Sequence, residues 1–484
     1  MTRETRDTRP DLRDLIAFSR SFARDEDGMI TIFACFMIIM MMMIGGIGAD
    51  MMRHEMERTR IQAVADRAVL AAADLDQTLD AEFVVRDYFE KSGMADFVSG
   101  VEVDQGLNYK TVSVDASMTI NTQFMDWMGL ETLRVPALSE AEEKVNKVEI
   151  SLVVDISGSM KNDNKMQNLR DAANTFVDSV LTTSNQDLIS ISLVPYSEHV
   201  NAGRPIYDLL NVDHLHDYSH CIELPDSEFN HVRLNRSMSY EQMQHYQWNY
   251  YSIESGNQLN TRYDTVCPRN GDGPLISDRF EGITAFSQDP IALKSQINLL
   301  QPRAGTSIFL GMKWGAAMLD PDFNAITSAL SGQGLVDSVF NGRPSAYSDD
   351  ETLKTVILMT DGQNDRSYRI KSRYYDAESE YVHWNNWNLQ YYLNRYVNGY
   401  YHNRFYEQKY DAIYGDTLLD NICDAAKLKK IIIWAIGFEV TDHGANVMRE
   451  CASSPSHFFR VEGVEIEEAF SSIARQINQL RLTQ

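Results

Sequence analysis

The sequence predicts an α/β protein: a doubly wound, mostly parallel sheet carrying two large insertions, preceded by a transmembrane helix, a helical stalk and a small α+β unit. Three observations lead there. Residues 29–47 form an uncharged apolar run; from Val148 onward buried apolar strands alternate with helical segments; and two long stretches, 198–285 and 364–415, interrupt that alternation. Alternating strands and helices are the pattern of a parallel sheet covered on both faces.

The elements follow in chain order. The first, residues 1–28, is an arm carrying Arg3, Arg6, Arg9, Arg13, Arg20 and Arg24. The run MITIFACFMIIMMMMIGGI (29–47) is long enough, at about 1.5 Å per residue, to cross a hydrocarbon layer of about 30 Å. A cleaved secretory signal is the competing reading, but the arm ahead of the run is long for one, and a retained anchor is the expectation. The arginine excess before the span, against Arg53, Arg58 and Arg60 after it, places the N-terminus in the cytoplasm. Residues 48–75 contain good helix formers and no Pro, and read as a stalk continuing the span. Residues 76–145 hold a helical stretch at 81–91 and period-two runs such as KTVSVDASMTI, which are the marks of an antiparallel α+β unit. Residues 146–484 form the main domain. Its strands are expected at 149–155, 188–196, 354–361, 430–438 and 457–461, and its helices at 168–181, 291–300, 308–319, 417–428 and 464–480.

The composition narrows the function. With 44 Lys and Arg against 69 Asp and Glu, the formal charge is -25, which repels phosphate backbones and excludes nucleic acid as an expected partner. Of five cysteines, Cys35 lies in the span. Cys221 and Cys267 fall in one irregular stretch, while Cys423 and Cys451 bracket a strand. An even number outside the span suits disulfides in an oxidising compartment, with unrelated buried thiols as the alternative; spacing leaves the pairing open. The histidines of the first insertion, His199, His214, His216 and His220, have no metal-ligand spacing and read as surface and loop residues. The second insertion is rich in Tyr and Trp, including Trp384 and Trp387, and reads as a subdomain packing its own aromatics.

The chemistry concentrates in VVDISGSM (153–160). Asp155 ends a predicted strand, and Ser157 and Ser159 follow at alternate positions. In open α/β sheets ligands collect outside the carboxyl ends of the strands. A carboxylate and two hydroxyls on one tight turn suit a hard divalent cation, which takes oxygen ligands and keeps several waters. Further oxygens are available at Thr306 in AGTSI and at Asp361 in ILMTDG. No nucleophile and base pair or phosphate-cradling loop accompanies them, so a non-catalytic protein is expected.

These three motifs, in this chain order, resemble the metal-ion-dependent adhesion site of von Willebrand factor A domains. The resemblance implies that Ser157, Ser159 and Thr306 coordinate Mg²⁺ through their hydroxyls, with Mn²⁺ or Ca²⁺ as substitutes. Asp155 and Asp361 would act directly or through water, and a protein partner would supply a carboxylate to the open position. The N-terminus, with Gly28 before the span, Asp50 and Arg53 after it and the helix from Ala65 to Ala73, is similar to TadG-like proteins of the Tad/Flp pilus system. GTSIFLGMKWG, the Cys423 to Cys451 bracket and the ending AFSSIARQINQLRL also look like that family. Pilin-like subunits of the system are cut after a glycine and carry glutamate at the fifth mature position; here the fifth residue after Gly28 is Phe33, so no such cleavage is expected. The resemblance implies a component of pilus assembly, anchored once in the bacterial inner membrane with its C-terminal domain in the periplasm. A surface adhesin or matrix-binding protein using the same site and the aromatic insertion is the alternative. An accessory subunit for a cytosolic ATPase is a third reading.

Overall fold

A computed structural model describes residues 16, 19–21, 27–74, 77, 79–105, 109–144, 147–182, 186–248, 265–268, 280–349 and 351–483. Most of the N-terminal arm, with Arg3, Arg6, Arg9, Arg13 and Arg24, lies outside the described residues, as do 249–264 and 269–279 of the first insertion. The chain divides into two units, Met1–Lys144 and Val145–Gln484.

In the first unit, helix α1 (Asp27–Ala73) runs without interruption. Its apolar part, long enough and apolar enough to cross a membrane, leaves large side chains from Ile30 to Ile44 uncovered by protein. Its second half changes character. Ile61, Ala65, Ala68, Val69 and Ala72 recur on one helical face and are buried, the spacing of an amphipathic helix seated on a core. They meet helix α2 (Ala81–Lys91), which is capped by the Asp80 carboxylate accepting from Phe83 N (2.9 Å), and an antiparallel sheet. That sheet has the order β1 (Val98–Gln105), β2 (Tyr109–Asn121), β3 (Thr132–Lys144). The alternating residues Val112, Val114 and Ala116 of β2 and Val135 and Ala137 of β3 are buried in the same core. Residues 48–73 are therefore not a free stalk. The alanines that make them strong helix formers also allow close packing on the sheet.

The second unit is built on a six-stranded sheet in the order β9-β8-β7-β4-β5-β6, where β4 is Lys147–Asp155, β5 Ile189–Tyr196, β6 Thr284–Ser287, β7 Thr352–Thr360, β8 Ile432–Phe438 and β9 Phe458–Val461. All neighbours run parallel except β6, which is antiparallel to β5 at the edge. Every residue of β5 is buried, as central strands covered on both faces require. Helices α3 (Lys165–Val180), α4 (Pro290–Leu299) and α8 (Glu465–Thr483) pack together; α5 (Ile308–Ala317), α6 (Ala412–Leu428) and α7 (Asp442–Cys451) form a second group. All of α5 is buried. It lies so close to the sheet that a Cβ on Gly315 would sit 2.4 Å from Val153. Disulfides join Cys221 to Cys267 and Cys423 to Cys451, and the latter ties α6 to α7 across β8.

The two insertions share a core. Cys221, Met243, Tyr246, Val266 and Cys267 of the first pack with Ile370, Tyr375, Trp384, Leu389 and Leu393 of the second. The second is a hairpin of strands Ser367–Ile370 and Tyr406–Tyr410 with helices Glu378–Asn386 and Leu389–Tyr396 between them. Its aromatics pack on one another: Tyr374 stacks on Phe405 at 4.3 Å, and Trp384 meets Tyr392 edge-on at 5.5 Å while its indole N–H donates to Tyr374 O (2.8 Å). Three of the four histidines correct the expectation of surface residues, while His214 is exposed as expected. His199, His216 and His220 are buried, because the insertions cover one another there.

That burial has a measurable consequence. Desolvation, against the nearby Glu223 carboxylate, lowers His199 to about 4; desolvation, against an acceptor at Met243 O, lowers His216 to about 4. The unfolded chain protonates both near 6.5, so it binds more protons than the folded protein between these values. The rings' contribution is whole above pH 6.5 and is lost as pH falls towards 4, on the order of 3 kcal/mol per ring by linkage. A His199→Gln/His216→Gln variant should accordingly be insensitive to this loss, so that chemical denaturation shows its stability gap to wild type shifting in the variant's favour between pH 7 and pH 4. A gap independent of pH would contradict the assignment.

Candidate functional site

Asp155 is the last residue of β4 and is fully buried. Its Oδ1 accepts from Ser157 N (2.7 Å) and its Oδ2 from Thr360 Oγ1 (2.8 Å) at the end of the neighbouring β7. The carboxylate is thus held at the seam between two parallel strands. The first bond also sharpens the turn, so that the Ser157 and Ser159 hydroxyls lie 3.1 Å apart. Both face Asp361: Ser159 Oγ donates to Asp361 Oδ1 at 2.7 Å and Ser157 Oγ reaches the same oxygen at 3.5 Å. Four of the five expected residues therefore converge by side chain.

Thr306, also buried, arrives through backbone. Arg303 N donates to Ile156 O (2.8 Å) and Gly158 N to Ala304 O (3.0 Å), which lays the 303–306 segment along the Asp155–Ser159 turn. The approach needs the glycine, since a Cβ on Gly158 would stand 3.0 Å from Ala304 O. On its other side, Thr306 O accepts from Asp365 N (2.8 Å). Three loops are stitched together at the carboxyl edge of the sheet.

Several groups at this site were not expected from the motifs. Lys165 Nζ lies 3.1 Å from Asp361 Oδ2 and 3.5 Å from Glu439 Oε2, with only 11% of its side chain exposed. Lys165 opens α3, where the helix dipole disfavours a cation; a lysine at that position after an acidic motif is a legible sign of a specific anionic partner. Tyr196 donates to Met359 O (2.9 Å) with its phenol 3.5 Å from Asp155 Oδ2. Burial, with the charge of Asp361, pushes Asp155 well above the usual carboxylate range against the hydrogen bonds from Ser157 and Thr360. The cluster thus holds two carboxylates that repel one another, and the Lys165 ammonium offsets part of that charge.

Among the described residues, no group of three or more His, Cys, Asp or Glu side chains is placed to hold a metal ion. The donors gathered here are different in kind, the Asp155 and Asp361 carboxylates with the Ser157 and Ser159 hydroxyls and Thr306 on the adjoining loop, and oxygen donors of this sort fit a hard cation such as Mg²⁺. A cavity of about 570 Å³ opens beside the Thr306 loop, lined in part by Glu198, Gly305, Asp365, Trp248 and Tyr368. Trp248 and Tyr368 stack at 4.3 Å. Glu198 accepts from Ser367 Oγ (2.8 Å), and burial, opposed by the Arg369 charge, raises it to about 7.

Residues 28–75 match the family model described as putative Flp pilus-assembly TadE/G-like. This N-terminal segment is thus similar to the TadE/G-like family. No curated protein matches the chain. Among solved structures, it is similar to the vWF domain of the type V pili tip protein Mfa5 from Porphyromonas gingivalis, with 15% identity, TM-score 0.35 and coverage of 70% of this chain and 98% of that one. It is also similar to the pilus adhesin SpaC from Lactobacillus rhamnosus GG, at 12% identity and TM-score 0.34, over 79% of this chain but only 34% of SpaC. A third is proximal thread matrix protein 1 from the mussel byssus with a zinc-occupied MIDAS motif, at 12% identity and TM-score 0.28, over 69% of this chain and 46% of that one.

Proposed function

We propose that this chain is a non-catalytic component of Tad/Flp-type pilus assembly, anchored in the bacterial inner membrane by residues 29–47 with its C-terminal domain in the periplasm. It binds a protein partner through a divalent cation, Mg²⁺ first and Mn²⁺ or Ca²⁺ as substitutes, held by Asp155, Ser157, Ser159, Thr306 and Asp361. The observation that carries this reading is the convergence of Asp155, Ser157, Ser159 and Asp361 within hydrogen-bonding distance at the ends of adjacent parallel strands. The TadE/G-like match over residues 28–75 supports the pilus system, and the Cys221–Cys267 and Cys423–Cys451 bridges support an oxidising compartment. A bound cation there would offer an open position to a carboxylate of the partner.

A second reading, a surface adhesin or matrix-binding protein, draws on the cavity walled by Trp248 and Tyr368 next to the same loops. Crosslinking of the anchored protein in native membranes, followed by mass spectrometry, separates the two. Recovery of pilus-assembly proteins with wild type and their loss with Asp155→Ala is the expected result. A partner set unchanged by Asp155→Ala would move binding away from the cluster.

A further inference from the structure

The turn between β2 and β3, residues 122–131, has an unusual composition for a solvent-facing turn. Such turns favour Gly, Asn, Asp, Ser and Pro. This one exposes Phe124 (38%), Trp127 (74%), Met128 (47%) and Leu130 (47%), a contiguous apolar patch of the kind that marks an interaction surface. Its shape is nevertheless fixed. Thr122 N donates to Glu131 O (3.0 Å), Gly129 N to Asp126 O (2.9 Å) and Leu130 N to Met125 O (3.1 Å), and Gly129 takes the left-handed φ of 86° that closes the turn.

The turn is clamped to α1 at two points one helical turn apart. Phe124 packs on Gly46, where a Cβ would come within 2.6 Å of the Phe124 side chain. The buried Asp50 carboxylate accepts the backbone N–H groups of Gln123 (3.0 Å), Phe124 (2.8 Å) and Met125 (2.9 Å). Arg53 completes the clamp, 3.8 Å from Asp50 Oδ1 and 3.4 Å from Asn121 O. Gly46 belongs to the last turn of the uncharged run, and Asp50 is the first acidic residue after it. The exposed aromatics are thereby held at the level where the apolar helix surface gives way to the polar one.

We propose that this turn is a membrane-interface anchor, with Phe124, Trp127, Met128 and Leu130 seated in the headgroup and upper acyl region of the bilayer beside the spanning helix. The inference rests on residues 29–47 crossing the membrane, as proposed above. Lipid is the occupant because the patch is continuous with the lipid-facing surface of α1, and because Trp concentrates at the headgroup level, where its amphipathic ring is accommodated. Asp50 serves this arrangement by turning the free N–H groups of the turn inward, so that the side presented to lipid is apolar.

The test uses the full-length protein reconstituted in phosphatidylcholine vesicles brominated at shallow or deep acyl positions. Trp127 is one of six tryptophans, so its share of the quenching is read as the difference between wild type and Trp127→Phe. Partial quenching of wild type that is greatest with shallow bromines and absent in Trp127→Phe is expected; Asp50→Ala should reduce it by freeing the turn. Cys35, the free cysteine of the span, reports on the anchor separately through protection from a water-soluble maleimide. Protected Cys35 with no quenching assignable to Trp127 overturns the turn's role while leaving the anchor intact. Labelled Cys35 overturns the anchor and this proposal with it. A photocrosslinker at position 127 that captures a protein in native membranes, without lipid quenching, assigns the patch to a protein and also overturns the proposal.

Discussion

Replacing Asp361 by alanine is expected to abolish Mg²⁺ binding measured by titration calorimetry, and Ser159→Ala, which removes a direct ligand on this proposal, to weaken it by at least the roughly 10- to 100-fold that loss of an outer-shell partner costs. On the proposed assignment Asp361 faces both serine hydroxyls and Ser159 donates to it at 2.7 Å, so the two variants remove the centre and one edge of the same donor set. Asp361→Ala also deprives Lys165 of its nearer partner, leaving Glu439 at 3.5 Å, at a cost of about 1–3 kcal/mol. Thermal unfolding must therefore accompany the titration. Unaltered Mg²⁺ affinity in a folded Asp361→Ala protein would remove the cation from this cluster; loss of affinity with the fold retained is the expected outcome. The sheet should survive, because the cluster occupies its rim while β4, β5 and β7 are held by the apolar core.

The second large effect concerns the bridge between α6 and α7. Cys423 and Cys451 are separated by 28 positions, and opening a loop of that size restores unfolded-state entropy worth about 3–4 kcal/mol on the chain-entropy model. A Cys423→Ala/Cys451→Ala protein is expected to be less stable by that amount in denaturant unfolding, with its far-UV spectrum unchanged. Both sulfurs are buried, so the alanines also leave small cavities that add to the loss. Equal stability of the variant and oxidised wild type would mean that packing alone holds these helices in place.

Strand positions were legible wherever a strand is buried on both faces, since a continuous apolar run ended by Asp155 or by Thr360 and Asp361 has few other uses. The edge strand β6 was not, because the four residues of TAFS offer neither a run nor an alternation. Helix α6 begins at Ala412, ahead of the expected 417, since Asp411 caps it by accepting from Tyr414 N (2.7 Å). The stalk reading failed for a different reason. Alanine-rich helix and core-facing helix look alike until the partner sheet is known, and the apolar face at Ile61, Ala65, Ala68, Val69 and Ala72 was the missed sign. At the candidate site the motifs named Asp155, Ser157, Ser159 and Asp361, and Thr360 stands beside Asp361 in ILMTDG, but Tyr196 and Glu439 belong to separate segments that only the sheet order brings together. His199, His216 and His220 were misread because burial within the insertions comes from long-range packing of chain segments that carry no periodic pattern.

Helix α1 is at once the apolar segment that emerges uncovered from the first unit and the central element of that unit's core. A tether would have slack; this helix has none. On the proposed anchoring, a force applied to the β1–β3 sheet is delivered along unbroken backbone hydrogen bonds to the helical turns at Gly46 and Phe33, so that withdrawing the helix from a bilayer and pulling apart the small unit would load the same rod. In the pilus-assembly role proposed above, such a part would turn displacement at one end into displacement at the other without first straightening a linker.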